Sequence, residues 1–158
     1  MIRAWRIVQK SLAATAFDGQ GARRFGGRWN SRGRGMIYTS GSLALAAMEV
    51  LAHLESTRVL SRRYCFIQVD IPEEVCMTLP ARRLRKGWDA DPSPDAARET
   101  GDAWLDALES AVLAVPSALV RQELNYLLNP AHPDFRKIKV RRAQPFAFSP
   151  RLIKEKLS

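Results

Sequence analysis

Residues 21–54, GARRFGGRWNSRGRGMIYTSGSLALAAMEVLAHL, set a loop crowded with glycine and arginine directly against a short strand and an apolar helix that carries one carboxylate. The loop, Gly21 to Gly35, holds Arg23, Arg24, Arg28, Arg32 and Arg34 among five of the chain's 9 glycines. Glycine lets backbone N–H groups come close to an anion, and the planar fork of arginine matches two phosphate oxygens at once. The loop therefore suits a phosphorylated ligand, and a pyrophosphate-bearing cofactor or a nucleic-acid backbone would satisfy it equally. Neither GxxxxGKS/T nor GxGxxG is present, which weighs against a kinase, an NTPase or a classical dehydrogenase.

Met36 to Thr39 reads as a short strand leaving the loop, and Ser40 and Ser42 are candidate N-caps for a helix over Leu43 to Leu54. That helix is apolar nearly all the way round, which predicts a buried element. Glu49 falls among Leu45, Ala46, Ala52 and His53 on the helical wheel, beside the main stripe of Leu43, Ala47, Val50 and Leu54. A partly desolvated carboxylate needs a cation or several donors. Glu49 is thus either a functional group served by the arginine loop or half of a structural pair, with an arginine or with His53. Arg28 follows Gly26 and Gly27, where the backbone can turn sharply and aim it inward; Arg23 and Arg24 either join it or face solvent. Tyr38, between loop and helix, places its ring as one wall of a pocket whose floor holds Glu49, a surface suited to a planar heterocycle.

Upstream, Ile2 to Val8 reads as a first strand; downstream, Tyr64 to Ile71 is a strand stopped by Pro72, followed by a second over Glu73 to Leu79. The segment from Arg82 is loop-like until a helix over Asp102 to Ala114, with Trp104, Leu105, Leu108, Ala111 and Val112 at helical spacing. Strands follow over Val115 to Arg121 and Glu123 to Leu128, then shorter ones at Ile138 to Arg141 and Pro145 to Phe148 before a small terminal helix. Dispersed short strands and few helices, without regular βαβ alternation, predict an α+β fold. Ser117 is a polar residue inside the apolar run VPSALV, and its hydroxyl needs a backbone or ligand partner. No GxSxG elbow surrounds it and no histidine is placed to make it a hydrolase nucleophile.

At 158 residues and 46% hydrophobic, the chain predicts one domain over 1–158 with its core over about 3–150. The formal net charge is +9, yet Asp89, Asp91, Asp95, Glu99, Asp102, Asp106 and Glu109 face only Arg98 across their segment. The remainder is strongly basic and favours anionic partners. Cys65 and Cys76 are too few for a disulfide framework, two histidines assemble no zinc spacing, and no metal is expected. No run is long enough to span a bilayer and the N-terminus lacks a signal-peptide core, so a cytoplasmic location is expected.

Several ordered blocks resemble the RES-domain toxins of bacterial toxin–antitoxin pairs, a family named for an arginine, a glutamate and a serine. The blocks are Trp5-Arg6, GGRWNSRG, Tyr38-Thr39-Ser40, ALAAMEVLAH, VPSALV, NYLLNPAHPDF and the closing PFAFSPRL. The resemblance makes Arg28, Glu49 and Ser117 the name-giving three and Tyr38 an added pocket residue; Ser149 stands where many relatives are expected to carry an acidic residue. It implies a fold similar to ADP-ribosyltransferases of the diphtheria-toxin type, with NAD as substrate. Its nicotinamide–ribose bond would be cleaved with water, inorganic phosphate or a protein side chain as acceptor. It also implies a small Xre-like antitoxin that covers the pocket, with nucleic acid met only through that antitoxin. Arg28 would then meet the pyrophosphate, Tyr38 stack on nicotinamide, Glu49 stabilise the ribosyl charge, and Ser117 hydrogen-bond ribose or nicotinamide.

Two other classes compete. A nucleic-acid-binding module or ribonuclease would use the loop, Arg82 to Lys86 and Arg136 to Arg142 as phosphate contacts, with steep salt dependence. An interaction protein would use its basic face only to recruit an acidic partner. Glu49 is a poor feature for the nucleic-acid reading, because a carboxylate repels phosphate unless it catalyses or holds a metal.

Overall fold

The structure, a computed structural model, describes residues 1–54 and 56–152. Strand β1 (Ile2–Gln9) pairs antiparallel along its whole length with β3 (Tyr64–Ile71), from Ile2 opposite Ile71 to Gln9 opposite Tyr64. On its other side β1 meets β2 (Ile37–Ser40) at Trp5 opposite Ser40. Strand β2 pairs with β6 (Leu124–Leu128), and β6 with β5 (Val112–Pro116), both antiparallel. Strand β4 (Cys76–Thr78) joins β5 in parallel, while β7 (Lys139–Val140) and β8 (Gln144–Phe146) both pair with β3. The resulting order is β4-β5-β6-β2-β1-β3-β7, with β8 also on β3. Helices α1 (Gln20–Phe25), α2 (Leu43–His53) and α3 (Asp95–Ala107) lie against this mostly antiparallel sheet, an α+β arrangement.

Three apolar clusters hold the layers together. Ala4, Ile37, Val69, Ile71, Val112 and Leu128 pack on one face of the sheet. Trp29, Trp88, Trp104, Leu105, Leu113, Val115 and Leu127 join α3 and the Gly/Arg loop to β5 and β6. Under α2, the stripe of Leu43, Ala47, Val50 and Leu54 packs against Ile7, Leu60, Tyr64 and Phe148, as its helical spacing predicts. The helix itself is not buried all round: Leu45 and Ala46 are, but Met48 is 44% exposed. Much of its apolar character comes from alanine, whose small side chain gains little from burial.

The helix expected over Asp102 to Ala114 starts earlier, at Asp95, and stops at Ala107, where Leu108 adopts a left-handed φ of 52°. Val112 belongs to β5, whose five residues are all buried. A strand covered on both faces reads as a continuous apolar run, which periodicity does not separate from a helix. The strand expected over Val115 to Arg121 likewise ends at Pro116. Beyond it the chain turns, with Ser117 N–H donating to Glu123 O at 2.8 Å and Glu123 N–H to Val120 O at 2.9 Å. Glu73–Val75 forms a single 3-10 turn ahead of β4 rather than the start of a strand. Pro150–Leu152 makes a 3-10 turn, and the rest of the expected terminal helix lies outside the described residues.

Candidate active site

The segment expected as a Gly/Arg loop over Gly21 to Gly35 begins as helix, since α1 takes in Gly21 to Phe25, and side chains mould the remainder. Asn30, fully buried, donates through Nδ2 to the carbonyls of Ala22 (2.9 Å) and Arg34 (3.1 Å), closing the loop on itself. Its Oδ1 accepts the Tyr38 hydroxyl at 2.6 Å, and that hydroxyl accepts the Trp29 N–H at 3.1 Å. Burial pushes the Tyr38 phenol well above its ordinary value, with the Trp29 N–H only partly opposing, so it stays a donor. Gly27 permits this approach: a Cβ there would lie 2.5 Å from Tyr38 Oη. From outside, α3 clamps the loop. Asp102 accepts the Ser31 N–H at 2.9 Å and its hydroxyl at 2.5 Å, and Arg34 forks onto Asp106 at 3.1 and 2.9 Å.

Between the loop, β1, β2 and α2 lies a cavity of about 530 Å³ whose walls include Arg6, Arg28, Tyr38, Glu49 and Asn125. Ser42 Oγ accepts the Leu45 N–H at 3.0 Å and caps α2, the helix that carries the half-buried Glu49. Glu49 Oε1 accepts two neutral donors, Asn125 Nδ2 at 2.7 Å and Ser117 Oγ at 3.1 Å. Among the described residues its Oε2 has no protein donor, and no arginine pairs with it. His53 reaches the Glu49 backbone carbonyl instead, Nδ1 to O at 2.6 Å. Neither structural pairing weighed for this carboxylate is therefore formed.

Ser117 has no exposed surface, and its Oγ accepts the N–H groups of Leu119 (3.1 Å) and Val120 (3.2 Å). The hydroxyl proton is thereby directed at Glu49. Ser117 meets the cavity through Glu49, whose Oε1 accepts its hydroxyl at 3.1 Å. Arg28 spans from the loop to the segment before α3, its Nη1 donating to the carbonyls of Trp88 and Ala90, both at 3.0 Å. Arg23 and Arg24 are exposed on α1 and Arg34 is held by α3, so of the five loop arginines Arg28 lines the cavity.

Three residues of this arrangement carried no assigned role in the sequence reading: Asn30, Arg6 and Asn125. Arg6 donates through Nη1 to Tyr38 O at 2.9 Å, while its Nε is buried without a partner among the described residues. Burial lowers its guanidinium from the ordinary value, and distant Asp18 only partly compensates. The signal was present in the alternation. Arg6 shares a face of β1 with Ile2, Ala4 and Val8, and Asn125 shares a face of β6 with Leu127, so each interrupts an apolar row.

Among the described residues no group of three or more His, Cys, Asp or Glu is placed to hold a metal, and no helix is long and apolar enough to cross a membrane. Cys65 and Cys76 are free.

The tethered carboxylate thus lies in a concave cavity walled by arginine and tyrosine rather than on a flat surface. Residues 3–149 match the family described as RES domain. The chain belongs to the RES-domain family. It is 39% identical over 150 residues to a protein named Toxin Res from Yersinia enterocolitica, covering 94% of this chain and 97% of that protein. It is 36% identical over 156 residues, 96% of each chain, to a Sphingobium protein named Prs ADP-ribosylating toxin. Among solved structures, the M. tuberculosis MbcT-MbcA toxin–antitoxin complex contains a chain of similar fold. The match has a TM-score of 0.75 at 20% identity and covers 92% of this chain and 84% of that one.

Proposed function

We propose that this chain is the toxin of a toxin–antitoxin pair and that its cavity consumes NAD by breaking the nicotinamide–ribose bond. Glu49 carries the reading: a carboxylate in the cavity wall, oriented by two neutral donors and without a cationic partner among the described residues, is available to a ligand. As the C1′–N bond breaks, the electron pair leaves with the nicotinamide nitrogen and the ribose gains cationic character. A carboxylate already fixed beside the ribose stabilises that charge more than water, which must reorganise to do so. Ser117 acts through Glu49 by fixing its direction. Tyr38 offers a wall for the nicotinamide ring, and Arg6 and Arg28 offer two guanidinium groups for the pyrophosphate. Among the described residues no carboxylate hydrogen-bonds the buried Arg6 guanidinium, whose Nε lacks a partner, and an anion there would fit that role. The likeness to ADP-ribosyltransferases of the diphtheria-toxin type belongs to the same reading.

The acceptor oxygen forms the new bond to C1′ and loses its proton, and water, phosphate or a protein side chain completes the reaction equally in atoms. A second reading, transfer of ADP-ribose to a protein, is supported by the name of the 36% identical Sphingobium relative. The MbcT-MbcA complex supports a protein antitoxin as partner, for which we propose an Xre-like protein, with action in the cytoplasm. The uncompensated Glu49 argues against the nucleic-acid reading, since it would repel phosphate.

The test is NAD loss and nicotinamide release by purified protein free of antitoxin, with and without phosphate and with added cell protein as acceptor. Glu49→Gln is expected to lower turnover at least about 100-fold while circular dichroism and thermal midpoint are kept. Parent-like NAD loss in this variant removes Glu49 from the mechanism, and no loss by the parent with any acceptor rejects the reading altogether.

A further inference from the structure

We infer that Asn125 is a positioning residue of this site, holding the Glu49 carboxylate by Oε1 so that Oε2 is the oxygen presented to substrate. The inference rests on the reading of Glu49 given above. Asn125 sits in the middle of the sheet, opposite Ser40 of β2 and Val115 of β5. Asparagine is depleted in strands, and a β-branched residue would serve a central strand better. Its Nδ2 lies 2.7 Å from Glu49 Oε1, closer than the Ser117 hydroxyl at 3.1 Å on the same oxygen. A carboxylate oxygen that accepts from Nδ2 fixes which way round the amide sits. That orientation leaves Asn125 Oδ1 buried without a partner among the described residues. An unsatisfied buried acceptor is a cost that sheet packing does not explain and that the hold on Glu49 does.

Two donors converging on one oxygen fix the carboxylate plane, and both are neutral. An arginine in the same place would orient Glu49 but also neutralise it, defeating the stabilisation of a cationic ribose. The other titratable groups around the cavity are Arg6 on β1, Arg28 in the loop, Tyr38 on β2, Tyr64 on β3 and His53 on α2. Glu123 meets the first turn of α2 through Ser42. Among the described residues none of these hydrogen-bonds the Glu49 carboxylate, which leaves its direction to Asn125 and Ser117.

The experiment compares Asn125→Ala and the near-isosteric Asn125→Asp with the parent in NAD kinetics, in the pH profile of NAD loss, and in an NMR titration of the Glu49 side-chain carboxyl carbon. Asn125→Ala is expected to lower kcat about 10- to 100-fold with KM for NAD within about 3-fold, the loss of a positioning contact. Asn125→Asp sets two carboxyl groups against each other, and such a pair holds a shared proton more tightly than a lone carboxyl group does. Its pH profile and its carboxyl titration should both move to higher pH by at least about one unit. The inference is overturned if Asn125→Ala keeps kcat within about 2-fold of the parent, or if Asn125→Asp leaves profile and titration unmoved, whatever happens to thermal stability. Failure of the NAD reading is distinguishable, since parent protein without NAD turnover still reports through the titration whether Asn125 governs Glu49.

Discussion

The Tyr38 hydroxyl donates to one buried acceptor and receives one backbone donor, so Tyr38→Phe strands both Asn30 Oδ1 and the Trp29 N–H. An unsatisfied buried polar group costs about 1–3 kcal/mol, and urea unfolding of this variant should show a loss of about 2–3 kcal/mol. The same hydroxyl carries a pH signature. Its folded-state value is raised above the ordinary phenol value of 10.0, so its contribution is whole below pH 10 and is lost as pH rises beyond it. Tyr64 and Tyr126 are raised as well, chiefly by burial, and the parent's stability should fall above pH 10. Tyr38→Phe should fall less steeply there; equal slopes would mean that the phenol ionises as freely in the folded protein as in the unfolded chain. Arg6 poses the opposite balance. Arg6→Met keeps the stem and removes a buried charge, which in other proteins is often neutral or stabilising. We expect unfolding free energy within about 1 kcal/mol of the parent or above it, with KM for NAD raised at least about 10-fold. A stability loss without a change in KM would make Arg6 a scaffold residue.

At the scale of elements, α3 is a backing plate for the Gly/Arg loop, and Gly101 is the point of contact. A Cβ there would lie 1.7 Å from the Trp29 carbonyl oxygen, a backbone atom that cannot swing aside. Gly101→Ala must therefore push the helix off the loop, at an overpacking cost of about 1–3 kcal/mol or more, and NAD turnover should fall with it because Arg28 is next to Trp29. Unchanged thermal midpoint and turnover would show the loop to be independent of α3. What sequence conveyed about such elements follows their surroundings. The bounds of β3 are readable because aromatic and β-branched residues run up to Pro72, and α2 because Ser42 caps a run of strong helix formers. β5 was hidden by burial on both faces, and the start of α3 by the prolines and acidic residues around it. Arg28, Tyr38 and Glu49 were legible as one site because they fall within a single run of chain. Arg6 and Asn125 reach it only through register, since Ser40 at the end of β2 is opposite both Trp5 and Asn125. Nothing in a linear sequence specifies that pairing.

Across the whole molecule the acidic segment is engaged locally: Asp102 and Asp106 with Arg34, Asp95 with Arg98, Glu99 with Arg85, and Asp89 with Arg121. Among the described residues Arg34 is the loop arginine that pairs with this segment, so the net charge of +9 is expressed over the rest of the surface, the other loop arginines included. The cavity, in contrast, draws on the entire fold, with Arg6 from β1, Arg28 from the loop, Tyr38 from β2, Glu49 from α2 and Asn125 from β6. A ligand bound there would depend on elements far apart in sequence, and unfolding would release it completely. Linkage then sets the size of the effect: NAD at 100 times its Kd stabilises by about 2.7 kcal/mol if it does not bind the unfolded chain. For a chain of this size that is a rise in Tm of about 5–10 °C. The Glu49→Gln protein, expected to turn NAD over at least about 100-fold more slowly than the parent, is the form in which to measure it by calorimetry. Arg6→Met in the same background should lose most of that rise. Absence of any rise with NAD, in a protein that is stabilised by RNA and loses that stabilisation steeply with salt, would return the basic surface to the nucleic-acid reading.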